Sequence, residues 1–189
     1  ERDLMSTISS SQVKAVNARA RCIYSEEQVE AALDKMAAAI TQFLVERDPI
    51  LLCTMHGGLI TTAKLVTRLR FPLQLDYLHV TRYRESTHGT DLDWKCYPSL
   101  SLQDRVVLVV DDILDEGTTL ESIVEYCKKQ EAAEVFTAVL IEKLHHHKLS
   151  NIVADFVGLK VDDCYVYGYG MDYKGYLRNA PGIFAIDEG

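Results

Sequence analysis

The hydrophobic residues of this chain fall into short apolar runs separated by helix-like stripes. The runs at 50–54, 106–110 and 135–141 are rich in aliphatic residues. Runs of this kind are typical of strands that are buried on both faces of a parallel sheet. Two more strands are predicted at 71–80 and 154–159. Open α/β sheets bind their ligands at the carboxyl ends of such strands, so the segments that follow the runs are the first places to look for a site.

Helices are predicted by apolar residues that recur at three- and four-residue spacing. The clearest covers about 26–46 and begins with a capping box, in which Ser25 and Gln28 satisfy two free N–H groups. Others are expected at 59–70 and 120–127. Residues 1–21 show little periodicity, and no function is assigned to them.

The stretch 106–120, VVLVVDDILDEGTTL, concentrates charge after a buried strand. Four carboxylates fall within six residues: Asp111, Asp112, Asp115 and Glu116. Like charges about 4 Å apart repel by ~1 kcal/mol in water, so a cation is expected among them, and Mg²⁺ prefers such oxygen ligands. Gly117 lets the backbone approach a ligand. Thr118 and Thr119 offer hydroxyls and N–H groups at a helix start, where an anion is favoured.

Other interpretations of this stretch stay open. An acidic, solvated turn between a strand and a helix would look similar. The Walker A and G-x-G-x-x-G patterns of nucleotide-binding loops are absent. DDILD matches the D-D-x-x-D motif of prenyl-diphosphate enzymes, but that motif belongs on a helix and VVLVV indicates a strand.

Composition narrows the class of protein. The 189 residues suffice for one α/β domain but not for two typical ones. A net charge of −8 and a pI of about 5.2 disfavour a nucleic-acid or anionic-membrane surface. Five widely spaced cysteines without C-x-x-C suggest neither disulfides nor zinc, which points to a reducing compartment. Since the sequence has no long apolar run and no signal-peptide core, a cytoplasmic location is expected.

The stretch 106–120 resembles the PRPP-binding signature of type I phosphoribosyltransferases, in which two acids and two apolar residues lead into an Asp-x-Gly-x-Thr loop. The segment 161–173 resembles the purine-binding segment of the hypoxanthine-guanine branch of that family. Met55-His56-Gly57-Gly58 corresponds to the family's pyrophosphate loop, which contains a cis non-proline peptide. The resemblance extends over about residues 22–187 as an ordered set of motifs.

The resemblance implies a role for each matching residue. PRPP and its 5′-phosphate would be bound by Asp111, Asp112, Asp115, Glu116, Gly117, Thr118 and Thr119. Pyrophosphate would be bound by His56, Gly57 and Arg178. The purine would be bound by Lys143, Tyr165, Val166 and Asp172. Metal would be held near Asp111, Asp112 and Asp172, with Mg²⁺ as the cofactor. A mobile flap would span 81–95 and carry Arg82 and Tyr83.

Some of these assignments carry chemistry of their own. Lys143 would donate to a purine 6-oxo group, and Tyr165 would stack on the base, a contact worth roughly 1–3 kcal/mol with nucleic-acid bases. Asp115 would be the catalytic base facing purine N7, with a pKa raised by neighbouring carboxylates and partial burial. His56 and Arg82 depart from the family, which has a basic residue and a serine there. The tract 145–147 is three consecutive histidines, which cannot all face one metal ion comfortably.

The fold that the resemblance implies is a parallel α/β sheet flanked by helices, in a single domain over 1–189. Its core would cover about 50–155, and a small hood would come from the N-terminal segment and about 156–189. The implied reaction transfers the 5-phosphoribosyl group of PRPP to hypoxanthine or guanine, giving IMP or GMP plus pyrophosphate. A homodimer or homotetramer is expected, because family members are commonly such. A PRPP-fold regulatory protein without turnover and a xanthine-preferring enzyme remain as alternatives.

Overall fold

The computed structural model describes residues 8–82, 92–145 and 148–186. Its helices are α1 (Ser10–Arg19), α2 (Glu26–Leu44), α3 (Leu59–Val66) and α4 (Thr118–Lys129). Its strands are β1 (Arg21–Ser25), β2 (Ile50–Met55), β3 (Gln74–Arg82), β4 (Leu92–Cys96), β5 (Val106–Leu114), β6 (Glu134–Leu144), β7 (Phe156–Asp162), β8 (Tyr165–Tyr167) and β9 (Gly182–Ile186). No helix in the described part of the chain is long and apolar enough to cross a membrane.

A six-stranded sheet forms the centre of the molecule, in the order β4-β3-β2-β5-β6-β7. All neighbouring pairs are parallel except β3 and β4, which pair antiparallel at the edge. The parallel α/β fold expected from the sequence is confirmed. Because β2 and β5 are direct parallel neighbours, the segments that follow them meet at the carboxyl ends of these strands.

Helices cover both faces of this sheet. Successive residues of β5 alternate between two apolar layers: Leu108 and Val110 pack with α2 and α3, whereas Val107 and Val109 pack with α4. This alternation explains the continuous apolar run, since a strand buried on both faces has no polar positions to spare. α2 begins at the predicted capping box, with Ser25 and Gln28 each bonded to the other's backbone.

A smaller antiparallel sheet, β1-β9-β8, forms the hood. It joins residues from both ends of the described chain, since β1 and β8 each pair with β9. The expected hood segment began at about residue 156, but β7 is the outer strand of the large sheet. The small sheet therefore takes its later residues from 165 onward.

The elements differ from expectation at several of their ends. β5 continues through the acids to Leu114, so Asp111 and Asp112 lie on the strand rather than after it. α3 ends at Val66 instead of residue 70. The expected loop 81–95 is in part a β-hairpin, because its two ends belong to β3 and β4. Residues 10–19, for which an irregular arm or a short helix was expected, form the helix α1 behind a Ser9 capping box.

Candidate active site

Three segments meet at Gly57, just beyond the end of β2. The Met55–His56 peptide is cis, as expected of this loop. A Cβ built on Gly57 would lie 2.2 Å from Oδ2 of Asp112, so only glycine lets the loop approach that carboxylate. Gly170, from the loop after β8, has a φ of +109°, and its Cβ would lie 2.0 Å from the Gly57 carbonyl oxygen. The loop after β2, the Asp112 carboxylate of β5 and the loop after β8 thus lie in close contact, because neither glycine carries a side chain.

The two acids of β5 carry more negative charge than their surroundings offset. Asp111 accepts hydrogen bonds from the Thr54 hydroxyl and the Asp112 N–H, yet burial still raises its pKa. Asp112 is only 8% exposed. Burial, followed by the Asp111 charge, raises the pKa of Asp112 well above its usual range, against an opposing contribution from Arg178. Such a pair favours a cation or a hydroxyl-bearing ligand.

A cavity of about 220 Å³ opens beside these acids. The expected PRPP and pyrophosphate residues in its wall are His56, Gly57, Asp111, Asp112, Thr119 and Arg178. Thr54 and His79 also line it, although neither was identified from the sequence. The rings of His56 and His79 meet edge to face, with centroids 4.6 Å apart. Burial, and then His56, lowers the pKa of His79.

Residues 115–117 connect β5 to α4, and the chain turns at Gly117, whose φ of +87° is in the left-handed region. The carbonyl oxygen of Glu116 accepts hydrogen bonds from the Leu149 and Ser150 N–H groups, at 3.0 and 3.2 Å. α4 starts at Thr118, so the first-turn N–H groups and the helix dipole form a ready site for an anion. This arrangement suits the expected 5′-phosphate.

A second cavity, of about 160 Å³, holds the expected purine-binding residues. Its wall includes Asp115, Lys143, Tyr165, Val166, Met171 and Asp172. Asp112 lines both cavities, so they adjoin at β5. Met171 was missed in the sequence, although it lies inside the segment 161–173 that suggested a purine site.

The Asp115 carboxylate is held at both oxygens. Lys143 Nζ lies 3.0 Å from Oδ2, and His145 Nε2 lies 2.8 Å from Oδ1. Partial burial alone would raise the pKa of Asp115, but Lys143 and then His145 outweigh it and lower that pKa. The expectation of a raised pKa was therefore wrong. That expectation rested on the acids nearby in sequence. It left out the side-chain nitrogens of Lys143 and His145, which come from about thirty residues further along the chain.

Tyr165, Asp172 and Arg178 link the two cavities. The Tyr165 hydroxyl donates to the Asp172 carbonyl oxygen at 3.0 Å. The Asp172 carboxylate accepts from the Gly175 N–H at 2.7 Å and pairs with Arg178 Nη2 at 2.8 Å. Arg178 also donates to the carbonyl oxygen of Gly170. The Arg178 guanidinium, in the wall of the first cavity, therefore pairs directly with Asp172 in the wall of the second.

Of the expected flap residues, Arg82 is the last residue of β3, and Tyr83 lies outside the described residues. No group of three His, Cys, Asp or Glu side chains within 8–82, 92–145 and 148–186 is arranged to hold a metal ion. The charge-rich pair Asp111 and Asp112 fits a hard cation, but both oxygens of Asp172 already have partners. A bound Mg²⁺ would need oxygens from the substrate to complete its shell, which is how this ion usually binds.

The chain belongs to the phosphoribosyl transferase domain family, whose model matches residues 21–174. Its relatives include a hypoxanthine-guanine phosphoribosyltransferase from Staphylococcus epidermidis, 32% identical over 85% of this chain and 90% of that protein. A hypoxanthine-guanine-xanthine phosphoribosyltransferase from Tritrichomonas foetus is 26% identical over 89% of this chain and 92% of that protein. A solved hypoxanthine phosphoribosyltransferase from Staphylococcus aureus superposes with a TM-score of 0.85 at 25% identity, covering 95% of this chain and 96% of that one.

Proposed function

We propose that this protein transfers the 5-phosphoribosyl group of PRPP to hypoxanthine or guanine, releasing IMP or GMP and pyrophosphate. The observation that carries the proposal is the Lys143–Asp115 pair in the wall of the second cavity, 3.0 Å apart and next to the phosphate loop. The two side chains offer one donor and one acceptor side by side. The edge of a 6-oxopurine that carries O6 and a protonated N7 needs that combination.

The pair also suggests how the base is chosen and prepared. An ammonium can only donate, so Lys143 suits a 6-oxo acceptor and not the 6-amino donor of adenine. Because the Lys143 and His145 contacts lower the pKa of Asp115 despite its partial burial, the group is ionised at neutral pH. An ionised Asp115 accepts the N7–H of the purine and so leaves the N9 lone pair free to attack C1 of the ribose. It then takes up that proton as the N9 bond forms.

The other cavity suits the diphosphate end of PRPP. Asp111 and Asp112 would accept hydrogen bonds from the ribose hydroxyls. Arg178 and the Gly57 backbone would bind the departing pyrophosphate. Mg²⁺ is proposed to be held near the acids of β5, and at Asp172 if it displaces one of that carboxylate's present partners; when bound it would neutralise the charge of the leaving pyrophosphate. Positioning of this kind, more than covalent chemistry, would account for most of the rate.

Turnover with each purine in turn tests the proposal directly. The purified protein is mixed with PRPP, Mg²⁺ and either hypoxanthine, guanine, xanthine or adenine, and nucleotide formation is followed. We expect activity with hypoxanthine and guanine and none with adenine. PRPP binding without turnover of any base would favour a regulatory protein. Xanthine as the best substrate would favour a xanthine-preferring enzyme. A homodimer or homotetramer and a cytoplasmic location also stay predictions.

A further inference from the structure

His145 lies one residue beyond β6 and has a 4% exposed side chain. Lys143 and His145 are two residues apart, and side chains at that spacing on an extended segment point to the same side. Both reach the same carboxylate, Lys143 at Oδ2 and His145 at Oδ1 of Asp115. This places a buried histidine directly behind a residue of the purine cavity.

The direction of this hydrogen bond follows from its partner. An ionised carboxylate can only accept, so the His145 Nε2 carries the hydrogen and donates it to Oδ1. Among the described residues, the charged groups near this pair include Lys143 and Asp163, whose carboxylate lies 3.9 Å from the Lys143 ammonium. His145 is therefore a hydrogen-bond donor to a residue in the wall of the second cavity.

The proposed function requires two contacts from the Lys143 ammonium, one with Asp115 and one with the purine O6. In the structure its ammonium pairs with Asp115, but a 6-oxopurine needs that ammonium at O6. When the lysine turns toward the base, Asp115 loses part of its support just as it must accept the N7–H. A partner that stays behind is then required to keep the carboxylate in the plane of the purine.

We propose that His145 is a positioning residue for Asp115, holding its carboxylate toward purine N7 while Lys143 engages the 6-oxo group. The inference rests on the proposed function for its substrate. It assigns to His145 a task that the sequence did not reveal, since the residue is the first of three consecutive histidines. It also explains why a carboxylate in the cavity wall has a buried partner that does not itself line the cavity.

Two substitutions separate positioning from packing. His145→Gln keeps an N–H donor near the same position, whereas His145→Leu fills the space and removes the donor. For His145→Leu we expect kcat/KM for hypoxanthine to fall by at least ~10-fold, with the KM for PRPP changed by less than ~2-fold. His145→Gln should recover most of the loss. Leu144→Ala, at the half-exposed last residue of β6, is the matched control and should behave like the wild type.

The pH profile supplies a readout that packing would not move. His145 helps to keep the pKa of Asp115 low, so its removal should raise that pKa. Activity that needs the carboxylate would then be lost at a higher pH on the acid side in His145→Leu, and less so in His145→Gln. An unchanged acid limb, or equal losses in the PRPP and purine parameters together with a lower Tm, would overturn the proposal.

The contact can also be tested without turnover. The ¹³C shift of the Asp115 carboxyl, assigned by its disappearance in Asp115→Asn, is titrated in the wild type and in both variants. A midpoint that rises in His145→Leu supports the contact, and an identical midpoint refutes it. Because this readout needs no substrate, it separates failure of the inference from failure of the proposed reaction.

Discussion

Carboxylates within five residues of each other on this chain have opposite electrostatic environments. Asp112 is buried beside Asp111 and has a raised pKa, whereas Asp115 lies between Lys143 and His145 and has a lowered one. Such divergence in neighbouring acids usually marks different tasks. Asp111 and Asp112 are suited to bind a cation or the hydroxyl groups of a ligand. Asp115 is suited to remain charged and to accept a proton from a purine.

Replacing Asp115 by Asn tests the acceptor at constant shape. Asn has nearly the same size and shape as Asp, and Asp115 does not cap α4, whose N-cap is Gly117, so the fold and PRPP affinity should be kept. The variant cannot accept the purine proton, and we expect kcat to fall by at least ~10²-fold with both hypoxanthine and guanine. Asp163→Asn, which removes a carboxylate 3.9 Å from Lys143 and outside the cavity wall, is the control and should change kcat by less than ~3-fold. Near-normal turnover by Asp115→Asn would show that this carboxylate is not the proton acceptor.

Replacing Lys143 by Gln tests the choice of base. An amide can donate or accept, so Lys143→Gln should lose affinity for hypoxanthine and also lose its discrimination against adenine. The ratio of kcat/KM values for hypoxanthine and adenine should fall by at least ~10-fold. Lys160→Gln changes an exposed lysine on the adjacent strand β7 and should leave that ratio unaltered. Efficient use of adenine by the wild type would contradict the role of Lys143.

At the scale of elements, the site depends on how closely three segments approach. The β2 loop, the end of β5 and the loop after β8 approach one another at Gly57, Asp112 and Gly170. The two glycines leave no room for a Cβ beside the Asp112 carboxylate and the Gly57 carbonyl oxygen. Loops at the ends of strands hold such contacts because the packed sheet beneath them fixes their spacing. A small change at the junction should therefore have a large effect on binding.

Gly57→Ala tests this close approach. The new Cβ would fall 2.2 Å from the Asp112 carboxylate, so the loop or the acid must move. We expect PRPP affinity, measured by calorimetry, to drop by at least ~10-fold, because the displaced groups are those proposed to bind it. Gly175→Ala is the comparison, since its φ of +84° costs strain but nothing lies within 4 Å of its Cβ. It should lower Tm while keeping PRPP affinity, and the same loss of affinity in both variants would argue against the junction.

For the molecule as a whole, the hood sheet and the large sheet each supply part of the site. Lys143 and the acids come from β6 and β5, whereas Tyr165 and Val166 come from β8. A ligand that touches both parts should stabilise the folded chain in proportion to its affinity, by ~2.7 kcal/mol at a hundred times its Kd.

PRPP with Mg²⁺ should therefore raise Tm by several degrees, and more than PRPP in the presence of a chelator. The reason is that Asp111 and Asp112 repel a polyanion unless a cation accompanies it. Thermal melts with PRPP alone, Mg²⁺ alone and both together measure the effect, and turnover is assayed in parallel. Full activity after exhaustive chelation would show that the metal is not required.

The sequence by itself determined the strands that are buried on both faces, because a strand with two apolar neighbours leaves a continuous apolar run that no other element imitates as well. It also placed the acids and the phosphate loop, since their chemistry is local and their order is fixed along one strand and turn.

Pairing across the fold was decided only by the tertiary structure. Lys143 and His145 meet Asp115 because β5 and β6 are parallel neighbours, and that contact reverses the expected direction of the Asp115 pKa. His79 comes beside His56 for the same reason, through the pairing of β2 with β3. Contacts between residues far apart in sequence leave no local pattern. The positions of His145 and His79 in the site therefore could not be predicted from the chain alone.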